Sequence, residues 1–307
     1  MALLPMLAGP TASGKSAAAL HLAERLGLHV VSADSMQVYT GMDIGTAKPS
    51  PAERARVPHH LLDVVTPAEA FSVADYVRLA EAAIDTVVAQ GESAIVVGGT
   101  GFYLRALRTG LPTVPPADPE AQAPLWRDVA AGRLNALIGE LAAVSEEDAT
   151  RAQRNPRRVV RSVEVLRRTG SPPSAFPNLP PAHEYDLVVL DPPAGPLAER
   201  VAQRARRMFE LGLVDEVRAL LARYPEQPTA LQAIGYKEVA AHLSGELSLG
   251  QALEAVIVGS RRYAKRQRTW FAREAGARYL RGFGEESVDE LLEWAAGTLA
   301  GGGRRGG

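Results

Sequence analysis

Met6-Leu7-Ala8-Gly9-Pro10-Thr11-Ala12-Ser13-Gly14-Lys15-Ser16 decides the fold. Its last eight residues satisfy G-x-x-x-x-G-K-[ST] at every position, after a short apolar run and before a helical pattern reaching about Leu26. Strand, glycine loop and helix in that order make a phosphate loop. Backbone N–H groups curl around phosphate oxygens, the helix N-terminus adds partial positive charge and Lys15 adds a full one, while Ser16 can ligate Mg²⁺. Gly9, Pro10, Thr11, Ala12, Ser13, Gly14, Lys15 and Ser16 are therefore the expected diphosphate site. The loop alone does not say whether that diphosphate belongs to a nucleotide. Proline lacks the N–H that a central strand donates, so the strand is expected to begin after Pro5.

Working outward, residues 28–33 read as a second strand ending at Asp34. Ser72 caps a helix whose apolar positions Val73, Tyr76, Val77, Ala80, Ile84 and Val87 keep helical spacing. Residues 94–97 form a third strand, running into Gly98-Gly99-Thr100-Gly101, and residues 187–190 a fourth. This alternation predicts an α/β fold, a P-loop core built on a parallel sheet. Ligands of such sheets sit at the carboxyl ends of the strands, which makes Asp34 and Thr100 neighbours of the loop. Taken alone, Asp34 suits a turn or a helix cap equally well.

Between the third and fourth strands the texture changes. Proline-rich stretches at 112–124 and 172–181 bracket a helical, arginine-rich segment, as expected of an inserted, mainly helical domain. The expected division is core over 1–114, insertion over 115–183, core with C-terminal helices over 184–300, and a flexible tail over 301–307.

At 307 residues, 46% hydrophobic and 22% charged, the chain has globular composition with enough apolar residues for a sizeable core. No apolar run approaches the roughly 18–20 residues that span a bilayer. Residues 1–8 read as buried strand, not as a secretory leader. The absence of cysteine excludes disulfides, thiolate metal sites and a thiol nucleophile, and favours the cytoplasm. A net charge of −1 excludes a polycation, so any nucleic-acid footprint must come from local clustering. Only four of the 34 basic residues are lysines, and Lys15, Lys48, Lys237 and Lys265 are thus candidates for sites needing a compact ammonium.

Clustering occurs twice. Arg151, Arg154, Arg157, Arg158, Arg161, Arg167 and Arg168 stand against the single acid Glu164. Helical spacing puts Arg154, Arg158 and Arg161 on one face and Val159, Val163 and Leu166 on another. Between 261 and 273, six basic residues interleave with Tyr263, Trp270 and Phe271. Basic side chains meet phosphates and flat ones stack on unpaired bases, although either run could be a solvated face. Asp191, after the fourth strand, has the shape of a Walker B acid and keeps a P-loop kinase open as a rival.

GPTASGKS (9–16), DSMQVY (34–39), GMDIGTAKP (41–49), PHHLLD (58–63), VGGTGFYLRAL (97–107), AIGYKE (233–238) and RRYAKRQRTWF (261–271) occur in one order. Together they resemble the tRNA isopentenyltransferase (tRNA dimethylallyltransferase) family, over essentially the whole chain except the insertion and tail. The resemblance implies transfer of a dimethylallyl group from dimethylallyl diphosphate to N6 of the adenosine immediately 3′ of the tRNA anticodon. It implies Mg²⁺ as cofactor, the tRNA anticodon stem-loop as partner, and a cytoplasmic monomer with no membrane partner. Asp34 corresponds to the family's general base, and Thr100 to the donor to the oxygen bridging prenyl carbon and phosphorus. Arg204 corresponds to a second donor to the diphosphate, although by sequence alone it could be a solvated helix arginine.

Segments resembling those that touch tRNA are Asp34, Ser35, Met36 and Gln37, with Thr100; Arg157, Arg158, Val159, Val160 and Arg161; Gln232, Ala233, Ile234, Gly235, Tyr236 and Lys237; and Lys265, Arg266, Gln267, Arg268, Thr269, Trp270, Phe271 and Ala272. Two departures fall in the insertion. Gln122, itself an expected tRNA contact, follows Asp118-Pro119-Glu120 where relatives often place an arginine, and Asn155-Pro156 replaces their Asn-Asp. Rival readings are an adenylate isopentenyltransferase, which needs little insertion, and a non-catalytic RNA-binding protein.

Overall fold

Six strands, β1 (Leu3–Ala8), β2 (Leu28–Ala33), β3 (His59–His60), β4 (Ser93–Gly98), β5 (Glu184–Leu190) and β6 (Arg278–Leu280), pair in parallel in the order β3-β2-β4-β1-β5-β6. The computed structural model describes residues 2–227 and 229–303. Contacts divide the chain into two compact units: the residues through Arg108 together with those from Ala182 on, and Thr109–Pro181.

In the first unit, α1 (Lys15–Leu26), α2 (Pro51–Arg56), α3 (Val73–Ala89) and α4 (Gly101–Thr109) follow the early strands. Ser72 caps α3 by accepting from the Asp75 N–H. The strands alternate their side chains between two apolar layers. Leu4, Met6 and Ala8 pack with Tyr76, Ile84, Leu104 and Leu107 on one face, while Leu7, Ile95 and Val188 meet Leu22 and Ala23 on the other.

Three details differ from the sequence expectation. β1 includes Pro5, because β4 pairs only from Met6 onward, so up to Pro5 the strand has a neighbour on the β5 side alone. The sheet also gains β3 and β6, of two and three residues, too short to carry an alternation. The last helix reaches Gly303, so the tail expected from 301 is helical at its start; residues 304–307 lie outside the described residues. No helix among the described residues is long and apolar enough to cross a membrane.

The second unit is α5 (Pro119–Ala130), α6 (Leu134–Ala142), α7 (Glu146–Ala152) and α8 (Pro156–Thr169) around Leu125, Leu137, Leu141, Val159 and Val163. Asn155 accepts from the Arg157 and Arg158 N–H groups as N-cap, and Pro156 is the first helical residue, so this departure from the family pattern is a helix start signal. Arg154 therefore lies outside the helix, in a left-handed turn (φ 53°), and bonds Asn135. The proposed three-arginine face does not form.

Arg161 and Arg168 instead clamp the buried Glu164, each at 2.8 Å, and Gln122 donates to the same carboxylate at 2.7 Å. Val159 and Val160 are core residues with no side chain to offer a ligand. Burial alone would raise the Glu164 carboxyl, but hydrogen bonds from Gln122, Arg161, Arg168 and the Asp118 N–H hold it below its ordinary range.

A depressed carboxyl pKa stabilises the fold above the unfolded value, about 4.3, and that contribution is lost as pH falls through the folded value. Glu164→Gln is expected to cost about 2 kcal/mol in urea unfolding at neutral pH, shrinking in acid. A cost independent of pH contradicts the charged clamp.

Candidate active site

Because every strand is parallel, the carboxyl ends of β1, β4 and β2 lie side by side and deliver Gly9, Gly98 and Asp34 to one edge. A Cβ on Gly98 would stand 2.1 Å from the Ala33 carbonyl oxygen, so only glycine lets these strand ends approach this closely. The Thr100 N–H donates to that carbonyl at 3.2 Å, and the Ser35 N–H donates to the Thr100 hydroxyl at 3.0 Å. Asp34 accepts from the Met36 N–H at 2.9 Å, leaving carboxylate capacity for a ligand.

Two cavities meet at this edge. The larger, about 1030 Å³, is walled by the phosphate loop from Thr11 to Ser16, with Gln37, Lys48, Arg54, Arg200 and Arg207. The smaller, about 250 Å³, is walled by Ser35, Met36, Gln232, Ala233, Ile234, Val256 and Arg266. Thr11, Asp34, Thr46, Arg204, Met208 and Tyr263 line both. Arg204 comes from α9 (Ala194–Glu210).

The larger cavity is cationic. Lys48 and Arg54 are neutralised by Asp43 and Asp63, at 2.7 Å each, and Arg200 pairs with Glu285. Lys15 and Arg204 are in no direct ion pair among the described residues. Burial and then the Arg204 charge push the Lys15 ammonium down to about 8, against the opposing pull of Asp34. Burial likewise lowers Arg204. Two crowded cations facing open space form a site for a multiply charged anion. At the loop tip Ala12 is held at φ 64°, a conformation costing a non-glycine residue on the order of 1–3 kcal/mol and found where a fold shapes a ligand clamp.

The segment 41–49 is anchored from behind by α10 (Leu213–Arg223). Glu216 accepts from the successive N–H groups of Asp43, Ile44 and Gly45 and from the Tyr236 hydroxyl, the last at 2.6 Å. Lys48, its side chain fully buried, adds a bond to the Tyr39 carbonyl at 2.8 Å. Its compact ammonium is a structural clamp. The sequence does not mark out Thr46, Arg200 and Gln203, which wall the larger cavity, or Glu216 behind it; the nearest signals are the GMDIGTAKP run, which contains Thr46, and Arg204, which adjoins Gln203.

The profile described as IPP transferase matches residues 37–274. A tRNA dimethylallyltransferase of Thermus thermophilus is 54% identical over 295 residues, covering 96% of this chain and 98% of that protein. One from Deinococcus radiodurans is 46% identical over 279 residues, covering 90% and 91%. The chain belongs to the IPP transferase family. The full-length tRNA isopentenylpyrophosphate transferase of Bacillus halodurans superposes with TM-score 0.73 at 35% identity, covering 99% of each chain. A eukaryotic dimethylallyltransferase described as acting on tRNA gives 0.74 at 26%, covering 88% of this chain and 70% of that one.

Within this IPP transferase, the residues expected to touch RNA divide by place. Asp34, Ser35, Met36, Gln232, Ala233, Ile234 and Arg266 wall the smaller cavity. Gln37 walls the larger one, its amide spent on the Thr46 and Ala47 carbonyls. Lys265, Arg268, Thr269, Phe271 and Ala272 border a separate cavity of about 470 Å³. Phe271 and Tyr236 are core residues, and Trp270 packs beneath the Arg105 guanidinium, so neither Trp270 nor Phe271 is free to stack on a base. Of the three aromatics only Tyr263 faces the site. Gly235 donates its N–H to Glu238, and Lys237 is exposed. The Thr100 hydroxyl meets Ser35 and the side chain of Tyr263. Asp191 accepts from Arg268 at 2.7 Å and is not a wall of the phosphate cavity, so it has no Walker B placement.

Lys15→Met is expected to weaken inorganic diphosphate about ten- to hundredfold near pH 7, the worth of a charge-assisted contact. The wild-type advantage should shrink as pH rises through about 8, where the Lys15 ammonium deprotonates. Titration calorimetry of both proteins checks this, and equal affinities at pH 7 would contradict it.

Proposed function

We propose that this chain transfers a dimethylallyl group from dimethylallyl diphosphate to N6 of the adenosine 3′ of the anticodon in tRNA. The observation that carries the reading is Asp34, placed where the cationic phosphate cavity opens into the second cavity. Diphosphate occupies the phosphate loop, held by its N–H groups, Lys15 and Arg204. The adenine leaves its stack and enters past Gln232, Ala233 and Ile234. The N6 lone pair forms the new bond to the allylic carbon as the carbon–oxygen bond breaks, and that electron pair departs with the diphosphate. Asp34 takes the N6 proton as the amine attacks. Neutralising the developing diphosphate charge by Lys15 and Arg204 accounts for the leaving-group assistance, with no phosphoryl transfer.

Ser16, exposed at the cavity wall, suits a Mg²⁺ ion carried mostly by diphosphate oxygens and water. The described residues contain no cluster of three carboxylates or histidines to hold such an ion themselves. Bound there, the ion would add positive charge against the leaving group. Action on tRNA fits a cytoplasmic location. Arg157 and Arg158, exposed on the second unit, are the phosphate contacts proposed for the RNA.

Asp34→Asn should lower single-turnover transfer by about 10²–10⁴-fold while tRNA and diphosphate still bind. Labelled dimethylallyl diphosphate with tRNA or AMP as acceptor provides the assay, and labelling of AMP in preference to tRNA contradicts the assignment. Replacing Arg157 and Arg158 together by Gln should flatten the slope of log affinity against log salt by at most about 0.7–0.9 per lost contact. An unchanged slope makes them plain surface.

A further inference from the structure

Gln267 belongs to a segment that resembles tRNA-touching segments of the family, yet it is only 6% exposed and both ends of its side-chain amide are spent inside the protein. Its Oε1 accepts from the Thr11 N–H at 2.8 Å, and its Nε2 donates to the Gly99 carbonyl at 2.8 Å. One partner belongs to a peptide unit held at its other end by Lys15, the other to one held by Ala33, the residue before Asp34. The Pro10 carbonyl, on the same peptide as the Thr11 N–H, accepts from the Lys15 ammonium at 3.4 Å. The Thr100 N–H, on the same peptide as the Gly99 carbonyl, donates to Ala33, and the Thr100 hydroxyl holds the Ser35 N–H beside Asp34. A Cβ on Gly99 would meet Gln267 Nε2 at 2.4 Å, so the glycine is what lets the amide reach its carbonyl.

We propose that Gln267 is a positioning residue that ties the phosphate loop to the Asp34–Thr100 edge and so fixes the distance between leaving-group cation and base. Resting on the reading of Asp34 and Lys15 above, it predicts a defect at the chemical step and the diphosphate end, not in the grip on RNA. A planar amide suits the task because one group offers an acceptor and a donor on opposite sides, in fixed geometry. Misplacement of reacting groups by about 1 Å can cost on the order of 10²-fold in rate.

The test compares wild type, Gln267→Leu, Gly99→Ala and the double variant in single-turnover prenyl transfer. It also includes titration with inorganic diphosphate and tRNA binding at several salt concentrations. Gln267→Leu is expected to lose on the order of 10²-fold in the transfer step and to weaken diphosphate, with tRNA affinity and salt slope unchanged. Gly99→Ala, which displaces the amide, should resemble it, and the double variant should be no worse than Gln267→Leu because both act through one bond. If Gln267→Leu does not fold, Gln267→Glu keeps the acceptor for Thr11, removes the donor to Gly99 and should show the same rate loss. Weakened tRNA binding with unchanged chemistry and diphosphate affinity overturns the proposal and returns Gln267 to the RNA interface. Wild-type behaviour in all three measurements overturns it too. A wild-type protein inert toward dimethylallyl diphosphate would count against the functional reading instead, and diphosphate titration would still report on Gln267.

Discussion

Burial weakens the hold of both Lys15 and Arg204 on their protons, the Arg204 charge weakens that of Lys15 further, and Asp34 offsets both. A folded protein tolerates this arrangement when an anion completes it. In the proposed reaction the donor's diphosphate does so, and more strongly as leaving group, because negative charge grows on it as the carbon–oxygen bond breaks. As the proposed base, Asp34 has the complementary problem: it must lie near enough to temper the cations and far enough from the diphosphate to accept a proton. Its place at the mouth shared by two cavities meets both demands.

The sheet supplies the geometry. In the order β3-β2-β4-β1-β5-β6 the phosphate loop leaves the central strand, while Asp34 leaves a strand two places away with β4 between them. That separation is bridged by the loop after β4, whose Thr100 bonds back to Ala33 and Ser35. On the far side Glu216 gathers three consecutive N–H groups of the 43–45 segment, so the wall carrying Thr46 rests on a half-buried carboxylate. Two loops at this edge are thus tied down by a side chain from another element, residues 43–45 by Glu216 and the phosphate loop at Thr11 by Gln267.

Much of this was legible from residue order alone. The phosphate loop carries its own signature, and residues 28–33 ending at Asp34 follow the strand rule closely enough that β2 ends where expected. Shorter features carry no such signal: β3 and β6 have too few residues for a period, and Pro5 is permitted by a neighbour that begins one residue later. The arginine run misled because helical spacing was extended through Gln153 and Arg154, which turn left-handed before Asn155 starts the helix. Which faces of the helix carrying Gln267 meet ligand, core or solvent could not be read from the run 261–271. That depends on loops near Gly9 and Gly99, distant in sequence.

A phosphate loop that serves as a leaving-group site, as proposed here, releases diphosphate whole. The most direct measurement is product stoichiometry in a single turnover with tRNA, scoring intact diphosphate against prenylated adenosine, with ATP offered in parallel. One intact diphosphate per modified adenosine and no γ-phosphate release from ATP are expected. Release of orthophosphate from ATP stimulated by tRNA, with no prenylated nucleoside formed, would contradict the leaving-group role.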